Sequence, residues 1–447
     1  MNIIKKYIGD LFLSTRFYLA AGFCALLFVV AFFVPVIMSF AIIVFFAFIL
    51  LLVADYLFLF LLANAPKANR VVASRLSNGD KNIVELNIRN RIGFKVTIKI
   101  IDELPIQLQE RDFQLNKKFA AGQQQIIQYT LLPAERGLYA FGNIILFVSA
   151  FIGFVVRRFT IPAQQTVSVY PSYMQMRKYQ LISRSTTNNE PGNQRKRKIG
   201  QSMEFEQIKD YVNGDDIRTI NWKATARRGV LMVNNYVDEK SQQVYCVIDK
   251  GRLMKMPFNG LSLLDYSINA ALALSNVCLQ KQDKIGLISF SSKLATVIPA
   301  ERKPVQRENI LQALYKEQTA FLESDYEMLY MQIRNKIKQR SLLILFTNFE
   351  SVSGLRRQMN YLRSIARHHL LLVVFFENTE LNKLSHEEAI TVDDVYIKTV
   401  AEKFVFEKKM LVKELQKYGI LSILTAPENL TINSINKYLE LKTRQAV

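Results

Sequence analysis

Between Phe17 and Ala54 the sequence holds no charged residue. As one helix, this run of about 38 residues would extend roughly 57 Å at 1.5 Å per residue. The hydrocarbon core of a bilayer is only about 30 Å thick. Two spans joined by a tight turn fit better. Pro35 marks the turn, because proline lacks the N–H that a helix interior needs and clashes with the preceding turn. The spans are expected at 17–34 and 37–62. The stretch is too long for the apolar region of a cleaved signal peptide and lacks a convincing cleavage site. The total absence of charge disfavours a buried soluble hairpin.

The flanks set an orientation. Lys5, Lys6 and Arg16 precede the first span, Lys67, Arg70 and Arg75 follow the second, and the turn carries no Lys or Arg. Positive charge stays on the cytoplasmic side, so a multi-pass chain with both termini and everything from Pro66 onward in the cytoplasm is expected. Asp55 is the one carboxylate in the second span. A functional intramembrane group is one reading; a contact with a neighbouring helix or the nearer interface is favoured.

After residue 66 the period changes to two. Residues 84–88 and 96–100 alternate apolar with polar, as half-buried strands do. Further strands are expected at 124–132, 142–148, 154–160 and 166–170, which together describe a small β-sandwich over 66–180. The polar segment 181–201 follows, with the basic run Arg195, Lys196, Arg197 and Lys198. Beside a membrane such a run suits anionic headgroups, at about 1 kcal/mol per basic residue; a solvated loop is an equal reading, and nucleic acid ranks below both. The balance of 58 Lys and Arg against 38 Asp and Glu, +20 in total, points to a polyanionic partner, and here a lipid surface suffices. Cys24, Cys246 and Cys278 have no metal-ligand spacing, and their odd number argues against a disulfide framework.

From residue 240 apolar strands alternate with amphipathic helical patterns. Strands are expected at 244–248, 285–290, 294–298, 342–346, 370–376 and 420–424. Helices are expected at 263–279, 305–316, 326–338, 355–366, 392–417 and 433–441. Such alternation implies a mainly parallel sheet covered on both faces, with ligands at the carboxyl ends of its strands. There is no phosphate loop, dinucleotide fingerprint or nucleophile elbow, so an enzyme has little to stand on.

Residues 205–233 join the two regions and hold the only tryptophan, Trp222. Around it lie Tyr211, Gly214, Asp215, Asp216, Arg218, Ala226 and Arg227. Asn213-Gly214-Asp215 is turn chemistry, and Asp215 or Asp216 is a candidate helix cap. A guanidinium from Arg218 or Arg227 could lock one of these carboxylates. A self-paired structural corner is preferred over a docking surface, and on that reading Trp222→Ala destabilises the soluble part.

Phe205, Tyr211, Gly214-Asp215-Asp216, Arg218, Ile220, Trp222, Ala226-Arg227 and Leu231 resemble the signature of the "domain of unknown function 58" proteins. Those are bacterial and archaeal, commonly membrane-attached, and often encoded beside MoxR-type AAA+ ATPases. Lys209 and Asn213 stand where the family usually has Arg and Pro. Asp102-Glu103-Leu104-Pro105, the stretch from Arg136 to Gly142, and Val169-Tyr170-Pro171 look like further family landmarks. The loop from Ser149 to Phe154 departs from the family's usual Asp-Pro-Phe-Gly turn.

The resemblance implies a von Willebrand factor A-like (Rossmann-type) α/β domain over 202–447, after the β-sandwich and the transmembrane α-helical hairpin at 1–65. In that fold a divalent cation sits at the strand ends, on an Asp-x-Ser-x-Ser loop, a Thr and a further Asp. Carried over, these positions are Asp249, Gly251, Leu253, Ser324 (with Thr319 as a rival) and Asn348. Hard cations need mostly charged oxygen ligands, so the site is expected to be degenerate, with no cofactor and only a weak claim on Mg²⁺. The implied function is a scaffold on the inner membrane of a bacterium. It would work with a MoxR-type ATPase in assembly or quality control of other proteins, with other membrane-associated von Willebrand A-like proteins as further candidate partners and no nucleic acid. The rival is a metal-dependent hydrolase using Asp249.

Overall fold

The computed structural model describes residues 9–110, 113–172, 203–238, 241–292, 294–319 and 321–444. The basic run from Arg195 to Lys198 lies outside them. The chain forms two compact units, Met1–Tyr170 and Pro171–Val447.

In the first unit, helix Thr15–Phe33 ends one residue before the 3₁₀ turn Pro35–Ile37, and helix Met38–Leu57 follows, so the break falls at the proline. Both helices are long and apolar enough to cross a membrane. The hairpin and the β region, expected as separate segments, are one unit. The second helix runs into a π turn, Phe58–Leu62, whose Leu59 and Phe60 are buried in the β core. Arg157 sends its guanidinium to the carbonyl of Leu59 at 2.7 Å, which satisfies a helix-end acceptor.

Strand Leu11–Leu13, ahead of the first helix, pairs with Val155–Ile161. It extends a five-stranded antiparallel sheet that also contains Ile144–Ser149, Val96–Asp102 and Gln114–Phe119. Three residues are too few for a period-two signal, so this edge strand was not expected. Two three-stranded sheets complete the unit. Strand Val96–Asp102 alternates buried and half-buried residues along its whole length, which is what its apolar/polar alternation requires.

Asp102 closes that strand. Its carboxylate accepts from Nε and Nη2 along one edge of the Arg70 guanidinium and from the Tyr129 hydroxyl at 2.5 Å. Both charged side chains are out of solvent. Arg70 also reaches the Ala163 carbonyl at 2.7 Å and the Gly142 carbonyl at 3.2 Å. Gly142 tolerates no side chain, because a Cβ there would overlap Glu103. The landmark residues Asp102, Glu103 and Gly142 therefore meet at one structural joint around the buried Arg70–Asp102 pair.

In the second unit a six-stranded sheet runs Leu294–Glu301, Lys284–Phe290, Gln243–Asp249, Leu342–Phe346, Leu370–Phe376, Leu421–Thr425. All neighbours are parallel except the first pair, which is antiparallel. Helices Leu263–Gln280, Val305–Lys316 and Leu430–Thr443 pack on one face. Helices Tyr326–Lys336, Val352–His368 and Val392–Lys417 pack on the other. A further helix, Thr379–His386, has only Leu381 and Leu384 to mark its apolar side and was not expected. The mixed α/β class agrees with the strand–helix alternation of the sequence.

Candidate functional site

Strand Gln243–Asp249 lies between Lys284–Phe290, which follows it in the chain, and Leu342–Phe346, which comes later. Chain order reverses at this strand, and its carboxyl end is where sheets of this kind open a crevice. Asp249 occupies that end.

The Asp249 carboxylate is buried and fully engaged. Oδ1 accepts from the Gly251 N–H at 2.8 Å and from the Ser324 hydroxyl. Oδ2 accepts from the Thr347 hydroxyl at 2.7 Å and from the Tyr326 hydroxyl at 3.3 Å. Burial pushes its carboxyl above the usual range, against the pull of the four hydrogen bonds. Ser324, not Thr319, is the residue brought to Asp249. Thr347 and Tyr326 were missed; only Thr347's place beside Asn348 could have pointed to it.

The other carried-over positions close the site. A Cβ at Gly251 would overlap the Ser324 hydroxyl and come within 3.1 Å of Asp249 Oδ1, so a serine there requires Ser324 to move. Leu253 lies in the short turn Arg252–Lys255 and brings no side-chain oxygen. Asn348 turns its Oδ1 to the Lys408 ammonium at 2.7 Å. Lys408 comes from helix Val392–Lys417 and also donates to the Phe349 carbonyl at 2.6 Å. A cation therefore stands on the oxygen that the resemblance assigns to a metal. Among the described residues no group of three or more His, Cys, Asp or Glu side chains converges. The Asp249 carboxylate is saturated and Asn348 Oδ1 is held by an ammonium, so these positions do not fit Mg²⁺, which takes oxygen ligands that are free to bind it.

Beside Asn348 opens a cleft of about 380 Å³, lined by Phe258, Phe376, Phe404 and Leu424 and by Lys408 and Glu350. Desolvation pulls the Lys408 amine down to about 8, with Glu350 holding it up in part. Glu317, nearby in the fold, is a buried carboxylate satisfied by Lys250 at 2.6 Å and by the Ser289 and Thr296 hydroxyls at 2.6 and 2.7 Å.

The stretch around Trp222 is a two-stranded antiparallel hairpin, Met203–Asp210 with Met232–Asp238. Its connection carries the 3₁₀ turn Ile217–Thr219 and the helix Trp222–Arg228. Asp216 caps the turn through the Arg218 N–H at 3.0 Å, and Asn221 caps the helix through the Ala224 N–H at 3.0 Å. Gly214 and Gly229 take positive φ, +114° and +69°, as turns and helix ends require of glycine. The expected guanidinium lock takes another form. Asp215 is held by Lys209 at 2.9 Å and by the Val212 N–H at 3.0 Å, while Arg228 lies 3.5 Å from Asp210. Lys209 stands where the family usually has Arg, and it keeps the pairing with one ammonium. Trp222 is 69% exposed and Ile217 70% exposed, so the corner does not fold its aromatic inward. Val212, Val230 and Leu231 are exposed beside them in sequence.

Residues 207–400 match the model of the family "Protein of unknown function DUF58", the family that the motif around Trp222 resembles. It is 23% identical over 220 residues to the uncharacterized protein YeaD of Bacillus subtilis (strain 168), covering 46% of this chain and 53% of that one. The chain thus spans about half the length of this curated relative. About a quarter of the chain is similar to parts of solved structures. The CARDB domain of a Pyrococcus furiosus protein is 11% identical with TM-score 0.17, covering 24% of this chain and 94% of that one. Escherichia coli alpha-2-macroglobulin is 17% identical with TM-score 0.21, covering 25% and 17%. A PapD-like domain of human CEP192 is 12% identical with TM-score 0.18, covering 24% and 86%.

Proposed function

We propose that this protein is a membrane-anchored scaffold whose α/β unit, of von Willebrand A type, binds other proteins. Its first partner is a MoxR-type AAA+ ATPase, and the joint task is assembly or quality control of client proteins. Two apolar helices whose outward faces need a nonaqueous covering support the anchor. The basic flanks support a cytoplasmic placement of both ends.

The observation that carries the interaction reading is the exposure of Trp222 and Ile217 in the midst of Arg218, Lys223 and Arg227. Large aromatics and arginines dominate binding energy at protein interfaces, and an exposed tryptophan contributes little to the fold that displays it. The saturated Asp249 supports a non-enzymatic role over metal-dependent hydrolysis.

The test uses the full chain in detergent with the MoxR-type ATPase of the same organism, measured by interferometry. Trp222→Ala is expected to weaken the complex at least tenfold, the effect of losing about 1.4 kcal/mol or more, while its thermal unfolding matches the parent. Unchanged affinity sinks the proposal. A lowered melting temperature restores the structural reading of this tryptophan.

A further inference from the structure

The two residues that bound the charge-free run, Arg16 and Asp55, hold the same loop of the β unit. Arg16 Nη1 donates to the Ile152 carbonyl at 3.4 Å. Asp55 Oδ2 accepts from the Phe154 and Val155 N–H groups, each at 2.8 Å. Ser14, which caps the first helix, donates its N–H to the Phe154 carbonyl at 3.0 Å and its hydroxyl to the Gly153 carbonyl at 2.5 Å. The loop, between strands Ile144–Ser149 and Val155–Ile161, is thereby fixed against the ends of both helices. The Phe154 ring packs edge-on against Phe48, 5.4 Å between centroids, and Phe48 against Phe17 at 5.6 Å. Phe154 therefore already reaches below the level of Arg16 and Asp55. Phe151, in the same loop, is 82% exposed.

From this geometry we propose that residues 150–154 lie in the membrane–water interface with the Phe151 ring among the lipid acyl chains. The inference rests on the reading that the two helices cross a membrane. Each helix segment beyond the Arg16–Asp55 level, 17–33 and 38–54, is about 26 Å long at 1.5 Å per residue, close to the hydrocarbon thickness. The level of Arg16 and Asp55 is then one boundary of the bilayer, and the loop bonded to both sits in that boundary. Aromatic side chains are favoured there. Lys67, Arg89, Arg91 and Lys95, all exposed, belong to the same end of the β unit. Lys67 pairs with Arg89 directly after the second helix, and residue 97 pairs with Ser149 at the loop's edge. These cations suit anionic headgroups.

The test uses full chains in nanodiscs of phosphatidylcholine and phosphatidylglycerol, with or without bromine on the acyl chains. The native tryptophan is removed by Trp222→Phe, and single tryptophans replace Phe151, Ile106 or Phe23. Ile106 is 92% exposed. It follows Asp102, which pairs with Ile144 at the far end of the sheet, so it reports on the water-facing side. Phe23 lies within the first helix and reports on the span itself. Brominated lipid is expected to quench the tryptophans at 151 and 23 by more than half and to leave the one at 106 unchanged. Quenching at 23 without quenching at 151 overturns the proposal alone. No quenching at 23 overturns the membrane reading and the proposal with it. Equal quenching at 151 and 106 also overturns it, because the contact is then not made by this loop.

Discussion

Lys408 offers the sharpest quantitative check on the strand-end geometry. Its ammonium is drawn into an apolar cleft and donates to Asn348 Oδ1 and to the Phe349 carbonyl. Desolvation outweighs these bonds and the pull of Glu350, taking the amine from 10.5 to about 8. At pH 8 about half of the Lys408 amines are then neutral, against roughly one in 300 for an amine titrating at 10.5, a gap of about 150-fold in nucleophile. Competitive acetylation with a trace of acetic anhydride, read by mass spectrometry against free Nα-acetyl-lysine, measures this directly. The expected labelling curve for Lys408 has its midpoint near 8, and Glu350→Gln moves it lower. A midpoint at or above 10 refutes the reasoning, since the two hydrogen bonds would then have outweighed burial.

The same shift has a sign for stability. The folded state binds the Lys408 proton less tightly than the unfolded chain does. The ammonium therefore costs folding about 3 kcal/mol below pH 8, from the fall of 10.5 to about 8 at about 1.4 kcal/mol for each tenfold change in proton affinity. That cost is relieved as pH rises from about 8 towards 10.5. Hydrogen exchange in Leu342–Phe346 and Leu370–Phe376, compared between parent and Lys408→Met at each pH, isolates it. The parent should gain on the variant across this window.

Asp249 and Asp102 make two further checks. Burial raises the Asp249 carboxyl, so its contribution to stability is fully present below 3.8 and is lost as pH rises through the folded value. The advantage of the parent over Asp249→Asn should therefore shrink from pH 4 to pH 7 in urea unfolding, and an advantage that grows instead shows that the four hydrogen bonds win. Asp102→Ala strands the Arg70 guanidinium without its carboxylate, out of water, at a cost of about 3–5 kcal/mol. Hydrogen exchange in Val96–Asp102 should quicken accordingly, and Arg70→Met with Asp102→Leu should restore more than half of the loss.

The sheet and its helices were legible because each buried strand is a continuous apolar run and each helix carries one apolar stripe. Strands Leu342–Phe346 and Leu370–Phe376 and helices Val305–Lys316 and Val392–Lys417 fall where the pattern put them. Pairings between distant residues were not legible. Asn348 meets Lys408 across 60 residues and Arg70 meets Asp102 across 32, and no local period encodes either. The polar corner around Trp222 misled for a related reason. Its charges suggested mutual pairing, but Lys209, on the incoming strand, reaches Asp215 first and leaves the tryptophan outside.

At the strand end, the positions that the resemblance assigns to a cation are taken up by contacts within the unit. Restoring a serine at 251 would require Ser324 to withdraw from the space that it fills against Asp249. Restoring a carboxylate at 348 would place it on the Lys408 ammonium, and the pair would neutralise itself before recruiting a metal. Ser324, Thr347 and Tyr326 make Asp249 an acceptor that ties three segments together at the switch point of the sheet. Both Asp249 and Asn348 are thus committed to contacts that fix the ends of neighbouring strands.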